Sequence, residues 1–248
     1  MRLAILGLGG LALLGACGPA TPPPTPNLPP WVAVTPGLEP IVRSWVEAYR
    51  DQVGLPPFDL AVMPLEAGQD KLRRGQVALL FAAAEPPEGW FATSVGKERI
   101  AVVVNPDNPG RGFSLRDLER LFSGEAVSWA DVQGRETPVQ IYVPFAGDDL
   151  RAAFAEETMR GRPITPNARL FLTPAKGAAL VAEDKAGLGI LPQSALTGDV
   201  RSVRVAGALP EDSGGAYPYQ LEIVGMAPSE PTGGVRDFLG WLQAYLQD

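Results

Sequence analysis

Histidine is absent from the 248 residues of this chain, and cysteine occurs once, at Cys17. The first absence excludes a histidine general base, a histidine-centred triad and imidazole metal ligands. The second excludes an internal disulfide and a cysteine zinc cluster. We therefore expect no metal site and no cofactor. The enzyme designs that remain are those built on Ser–Lys pairs or on carboxylates.

Positive charge is also scarce. There are 21 Lys and Arg residues against 28 Asp and Glu residues, for a net charge of −7. A protein that binds nucleic acid by neutralising its phosphates is therefore not expected. The length predicts one or two domains with a core that needs no cross-link.

The N-terminus has the pattern of a secretory signal, in which Arg2 precedes the apolar run Leu3–Leu14. This run is too short to span a bilayer as a helix. It leads into Leu14–Cys17 (LGAC), which resembles a bacterial lipobox. The pattern predicts a signal peptide over residues 1–16 and a lipidated Cys17, whose acyl chains anchor the protein to the cell membrane on its extracytoplasmic side. An ordinary secretory signal with an incidental cysteine is the alternative.

Residues 17–30 are rich in proline and predict an extended tether between the lipid and a folded body. In that body, apolar runs alternate with stretches of helical periodicity, which predicts an α/β fold with mainly parallel sheets. We predict strands at 31–35, 58–63, 77–83, 100–104, 139–143, 169–172, 188–191, 200–205 and 221–227, and helices at 38–49, 68–74, 148–159, 175–185 and 235–247, with a further helix capped by Ser114.

The stretch 100–132 carries a more specific pattern. An apolar strand runs into Asn105-Pro106, a capped helix ends in Phe122-Ser123-Gly124, and a pair formed by Trp129 and Asp131 follows. This order resembles the phosphate-binding protein family of bacterial ABC importers. Looser matches continue at residues 186–195, 217–218 and 235–239.

The resemblance implies a two-lobed type II periplasmic-binding-protein fold, with mainly parallel sheets flanked by helices. It places lobe one at residues 31–104 plus 200–248 and lobe two at residues 105–199, with a hinge of two crossing segments. It also implies a small solute, such as an anion, bound in the cleft of a monomer that delivers it to an ABC permease. No chemistry on the solute is implied, so the chain is not expected to be an enzyme.

Loops at the carboxyl ends of the strands are expected to form the ligand site, because ligands of open α/β sheets bind there and helix N-termini attract anions. The expected ligand-binding residues come from three such loops: Thr35, Pro36 and Gly37; Ala82, Ala83 and Ala84; and Ala146, Gly147, Asp148 and Asp149. For Thr35–Gly37 a helix cap is an equally weighted interpretation.

Three positions of this site depart from the family pattern. Ala78 stands where relatives have an aspartate, Val143–Phe145 where they have an arginine, and Asp148 and Asp149 where a hydroxyl is usual. A carboxylate ~4 Å from a phosphate oxygen costs about 1 kcal/mol in water and more in a closed cleft. Phosphate is therefore not carried over as the ligand. Asp148 either caps the following helix or faces the cleft, where it would favour a cationic or hydroxyl-rich ligand or none. Arg151 either reaches the cleft, pairs with Asp148 or is a solvated helix residue.

Three functions stay open at this point. The first is a lipid-anchored solute-binding protein of an ABC importer with an altered anion site. The second is a sensory or scaffolding lipoprotein that keeps the fold without a transport ligand. A remote third is a Ser–Lys hydrolase, since Ser94 and Lys97 fit an S-x-x-K pattern.

Overall fold

The computed structural model describes residues 30–132, 134–212 and 217–247. The predicted signal peptide, Cys17 and the tether up to residue 29 lie outside these ranges. Strands are β1 Trp31–Val34, β2 Asp59–Val62, β3 Leu79–Ala82, β4 Phe91–Val104, β5 Gly112–Phe113, β6 Gln140–Pro144, β7 Arg169–Phe171, β8 Gly187–Pro192, β9 Arg201–Ser202, β10 Arg204–Val205 and β11 Gln220–Ala227. Helices are α1 Glu39–Gln52, α2 Leu65–Arg73, α3 Leu115–Ser123, α4 Asp149–Met159, α5 Pro174–Glu183 and α6 Gly233–Tyr245. Within the described ranges, no helix combines the length and the apolar character needed to cross a bilayer.

Most strands join one sheet in the order β2-β1-β3-β11-β4-β8-β6-β7, with β9 alongside β4. Strands β1, β2 and β3 pair in parallel, and so do β6, β7 and β8. The antiparallel pairs all involve β4 or β11. The predicted α/β fold with mainly parallel sheets flanked by helices is confirmed.

Strand β4 connects the two halves of this sheet. Its residues 91–99 pair with β11, and its residues 100–104 pair with β8. A second connection runs beside it, where the Ile100 amide donates to the Tyr219 carbonyl oxygen at 3.2 Å. Two neighbouring segments of backbone therefore link the halves, which is the arrangement expected of a hinge.

The buried side chains form separate hydrophobic cores around the two halves. The first core packs α1 and α6 against β1, β3 and β11, with Trp45, Phe81 and Phe238 at its centre. The second packs α3 and α4 against the other half, around Phe122 and Phe154. A smaller cluster covers the opposite face of that half beneath α5.

The predicted lobe boundaries stay a prediction. The residues nearest those boundaries pack in the second core: Ile100, Val102, Val104, Val203 and Val205.

Helix α3 begins and ends at the residues that the sequence predicts. The Ser114 hydroxyl accepts from the Asp117 amide at 3.1 Å, and the Ser114 amide donates to the Asp117 carboxylate at 3.0 Å. This reciprocal cap satisfies two backbone donors that the first turn leaves open. The helix ends at Gly124, whose φ of 79° suits a residue without a side chain.

Candidate functional site

The predicted site loops follow strand ends that meet where the two cores face each other. Residues Thr35–Gly37 follow β1, and Ala83 and Ala84 follow β3, which pairs with β1 in the first half of the sheet. Residues 145–148 follow β6 in the second half and lead into α4. Ala83 packs against both cores. The structure thus brings the three predicted loops together at one edge.

Asp149 is the residue on which these loops converge. The Thr35 hydroxyl donates to Asp149 Oδ2 at 2.6 Å, and the Ala83 amide donates to the same oxygen at 2.8 Å. The other oxygen, Oδ1, accepts from the Leu150 amide at 3.0 Å. Thr35 is fully buried and Asp149 is 5% exposed. The Asp149 carboxylate, at the start of α4 beside the second core, therefore accepts from two donors in loops beside the first core.

Asp148 has a more local role. Its Oδ1 accepts from the Leu150 amide at 3.0 Å and from the Arg151 amide at 3.4 Å, so the predicted helix cap is confirmed. The backbone at Gly37 lies close enough to this carboxylate to oppose the rise in its pKa. Burial, and then the charge of Asp149, raises the pKa of Asp148 to about 7. The Asp148 carboxyl therefore keeps its proton to a much higher pH than an exposed aspartate does.

Gly37 allows the first loop to approach α4 closely. A Cβ at this position would lie 3.0 Å from the Leu150 Cβ, 3.1 Å from Asp148 Oδ1 and 3.3 Å from Asp149 Oδ1. These distances are shorter than ordinary van der Waals contacts. The absence of a side chain at Gly37 is therefore what lets both carboxylates reach the first loop.

Arg151 is held at the end of β6 rather than paired with an aspartate. Its Nη1 donates to the Pro144 carbonyl oxygen at 2.9 Å, and its side chain is half-buried. Of the roles predicted for Arg151, the ion pair with Asp148 is not found. Among the residues that the structure describes, neither Asp148 nor Asp149 forms an ion pair with a lysine or arginine. Amides and the Thr35 hydroxyl, rather than cations, hold the two carboxylates.

A cavity of about 270 Å³ lies beside the two aspartates. Its lining is Leu65, Glu66, Ala83, Ala84, Gly147, Asp148, Asp149, Ala152, Ala153 and Glu156. The remaining predicted residues do not line it: Thr35, Pro36, Gly37 and Ala82 are buried behind it, and Ala146 is exposed outside it. The cavity wall is therefore acidic and otherwise made of small or apolar side chains.

The contribution of α2 to this wall was missed by the sequence prediction. The helix was predicted from residue 68 but begins at Leu65, one turn earlier. Pro64 at its N-cap position was the available signal. The earlier start places Glu66 in the first turn and at the cavity.

Comparison with known proteins supports this architecture. A sequence profile of the PBP superfamily domain matches residues 31–244. The chain belongs to the PBP superfamily. One relative is the phosphate-binding protein PstS of Bacillus subtilis (strain 168), which is 24% identical over 229 residues that cover 84% of this chain and 72% of PstS. The resemblance to phosphate-binding proteins that residues 100–132 predict is therefore confirmed.

Solved structures show the same fold in this PBP-superfamily chain. A Clostridium perfringens structure, described as a phosphate ABC transporter substrate-binding protein with bound phosphate, superposes with a TM-score of 0.77 at 16% identity, covering 86% of this chain and 92% of that one. The regulatory domain of CcmR from Synechocystis PCC6803, in complex with 2-PG, superposes with a TM-score of 0.63 at 13% identity, covering 88% and 97%. The predicted two-lobed fold is confirmed, and it serves both transport receptors and regulatory domains.

The motif residues that suggested the superfamily are structural in this chain. Asn105 Nδ2 donates to the Ala182 carbonyl oxygen at 2.6 Å, and Trp129 Nε1 donates to the Ala186 carbonyl oxygen at 3.3 Å. Asn105, just after β4, and Trp129, in the turn after α3, are thereby tied to the end of α5 and the residues that follow it. These residues identify the scaffold and do not line the acidic cavity.

A larger cavity of about 920 Å³ lies away from the predicted site, between the start of α1, helix α5 and residues 195–199. None of the predicted binding residues lines it. The two cations that line it already pair with carboxylates, Arg43 with Glu39 at 2.6 Å and Lys185 with Asp107 at 2.8 Å. Its size alone does not make it the binding site, because hydrogen-bond donors converge at Asp149 instead.

The Ser–Lys pattern has no catalytic geometry. Ser94 and Lys97 are both exposed on β4. Three residues of extended strand separate them by about 10 Å along its axis. Among the described residues, no hydrogen bond joins the two side chains. The hydrolase alternative therefore has no support in the structure, and the relatives are named for binding rather than for catalysis.

Proposed function

We propose that this chain is the extracytoplasmic solute-binding component of an ABC importer. The observation that carries the proposal is the convergence at Asp149 of donors from loops of both cores. The cavity beside Asp149 is lined by residues of both bodies, so a small molecule held there would be enclosed between two bodies joined by a hinge. The relatives named as a phosphate-binding protein and a transporter substrate-binding protein support the same role.

The chemistry of the cleft fits binding without reaction. The cavity offers main-chain groups and several carboxylates, and among the described residues its lining contains no hydroxyl side chain. A chain without histidine retains few ways to activate a nucleophile, and none of them is assembled around the cavity. The solute is therefore held and released unchanged.

The proposed domain organisation follows from the same role. Lobe one comprises residues 31–104 and 200–248, and lobe two comprises residues 105–199. A lipid on Cys17 and an extended tether over residues 18–30 hold the body roughly 30–40 Å from the membrane at ~3.1 Å per residue. From there a monomer can dock onto an ABC permease and return to bind again.

Ligand binding and anchoring are testable separately. The mature body is titrated by calorimetry with phosphate, sulfate, molybdate, sugars and amines, and the best ligand is checked for uptake with and without the protein. Binding of one solute class together with protein-dependent uptake supports the importer role. Cys17→Ser should release the protein from the membrane fraction, and retention of that variant on the membrane would contradict the lipid anchor.

A sensory or scaffolding lipoprotein is the second candidate. It is favoured by the fact that Thr35 and Ala83, which could hold a solute, are already bonded to Asp149. The regulatory domain with this fold shows that the architecture is compatible with such a role. A flat response to every solute in the titration, together with capture of a membrane partner, would favour this candidate over the importer.

A further inference from the structure

The hydrogen-bond donors of the cleft already hold an anion that belongs to the chain itself. Thr35 and Ala83 lie 114 and 66 positions before Asp149 in the sequence, yet both bond its Oδ2. The Leu150 amide, in the first turn of α4, bonds Oδ1. One carboxylate thus gathers a hydroxyl and an amide from the first core and an amide from the second.

This arrangement has the properties of an anion site. The N-terminus of α4 supplies amides that have no partner within the helix and the positive end of a helix dipole. Thr35 is fully buried, Asp149 is 95% buried, and no described lysine or arginine pairs with the carboxylate. The donors alone therefore compensate its charge, as they would compensate the charge of a bound oxyanion.

We propose that Asp149 is a built-in anion that sets the specificity of the cleft by occupying the position of an oxyanion ligand. Phosphate and similar tetrahedral anions are excluded because they need the same donors. Their entry would also place a second negative charge against a buried carboxylate and deprive it of its partners. This inference rests on the proposed function to the extent that the cleft is the solute site.

Asp148 does not share this role, although it is adjacent and equally buried. It caps α4 through the amides of Leu150 and Arg151. It approaches the first loop at Gly37, but among the described residues no hydrogen bond joins it to Thr35 or Ala83. Asp149 alone bonds Thr35 and Ala83. Removing the Asp149 side chain should therefore free the oxyanion position while leaving the helix cap in place.

The test is a gain of phosphate binding. Asp149→Ser and Asp149→Gly are titrated with inorganic phosphate by calorimetry at pH 8, beside the wild type. Both should bind phosphate at least about 100-fold more tightly than the wild type, because they recover charge-assisted hydrogen bonds and lose a like-charge repulsion. Circular dichroism spectra confirm that each variant is folded.

Two control variants distinguish the effect of filling the oxyanion position from the effect of negative charge near the cavity. Asp149→Asn removes the charge but keeps the volume and an acceptor for Thr35, so it should not gain phosphate binding. Glu157→Gln removes a negative charge from an exposed position of α4 outside the cavity lining, and it should behave as the wild type does. A gain in Glu157→Gln equal to that in Asp149→Ser would overturn the proposal, since overall charge would then explain the effect.

The affinity of the wild type for phosphate is a second criterion. The proposal would be overturned if the wild type bound phosphate with a Kd within tenfold of that of Asp149→Ser. It would also be overturned if the Ser and Gly variants folded but bound phosphate no more tightly than the wild type. If both variants fail to fold, the wild-type titration decides alone: no binding supports the proposal, and micromolar binding overturns it.

The outcome is independent of the importer role. If the wild type binds and imports another solute while Asp149→Ser gains no phosphate binding, the inference fails and the proposed function stands. If Asp149→Ser gains phosphate binding while the wild type binds no solute and supports no uptake, the inference stands and the proposed function fails.

Discussion

The Thr35 hydroxyl donates to the Asp149 carboxylate at 2.6 Å, and this contact joins the loop after β1 to the start of α4. Because both groups are buried, loss of the hydroxyl leaves a buried charge short of one donor. Thr35→Val should lower the free energy of unfolding by about 1.5–3 kcal/mol, the range for hydrogen bonds to charged groups. Thr35→Ser keeps the hydroxyl and is the matched control. Urea unfolding followed by circular dichroism measures both, and an unchanged midpoint in Thr35→Val would refute the prediction.

The stability of the protein should fall as the pH rises from about 4 to 7. Burial, and then the charge of Asp149, raises the pKa of Asp148 from its ordinary 3.8 to about 7 in the folded protein. In this interval the native state keeps a proton that the unfolded chain releases, so the free energy of unfolding drops by up to about 4 kcal/mol. Below about pH 4 the contribution of Asp148 to the free energy of unfolding is fully present, and above about pH 7 this contribution is lost.

Asp148→Asn isolates this effect, because asparagine is also a good helix cap and does not titrate. The charged groups nearest the cap, Asp149 and Arg151, are unchanged in this variant. Urea unfolding at pH 4.5, 6 and 8 should show a flatter dependence in Asp148→Asn than in the wild type. Asp237→Asn, at an exposed position of α6, should keep the wild-type slope. Equal slopes in Asp148→Asn and the wild type would contradict the assignment.

Glu98 should be essential to the joint between the two halves. It is 3% exposed and accepts from the Arg99 amide at 2.8 Å and from the Ser194 hydroxyl, with the backbone at Gln193 and Ser194 beside it. Glu98→Ala leaves these donors unpaired and should destabilise the protein by about 3 kcal/mol. Glu222→Ala, at an exposed position on the neighbouring strand β11, should change the stability by no more than about 0.5 kcal/mol. Similar effects of the two substitutions on the urea midpoint would rule out the proposed importance of Glu98.

Gly37→Ala should destabilise the protein by about 1–3 kcal/mol through overpacking. The added methyl group would lie 3.0 Å from the Leu150 Cβ, an atom close to the backbone that cannot rotate away. Gly240 is a suitable control, because it lies in α6 and a Cβ added there would meet no atom within 4 Å. Gly240→Ala should stabilise the protein by about 0.5–1 kcal/mol. Thermal unfolding distinguishes the opposite signs.

The sequence predicted the architecture well because its strands are apolar runs bounded by turn residues. The run at Ile100–Val104 and the Ser114 cap required no tertiary information. The first part of β4 was missed because Lys97, Glu98 and Arg99 give it a polar surface pattern. Nothing local shows that Glu98 is buried, since its partners at Gln193 and Ser194 lie far along the chain.

The site was predictable in its location but not in its connections. Strand ends and glycine-containing turns identified the three loops, and the helix start identified Asp148 and Asp149. The donors to Asp149 come from Thr35 and Ala83, and only the folded chain brings them within reach. A sequence pattern can therefore place a carboxylate in a cleft without revealing that its acceptor capacity is already used.

Strand β4 also limits how the molecule can move. Its residues up to Arg99 belong to one hydrogen-bonded ladder and its residues from Ile100 to the other, with no loop between them. Each ladder lies within one half, so a small rotation of the backbone at Arg99 and Ile100 leaves both ladders intact, whereas the continuous strand opposes sliding of one half past the other. We therefore expect the cleft to open by a swing about this crossing rather than by a shear.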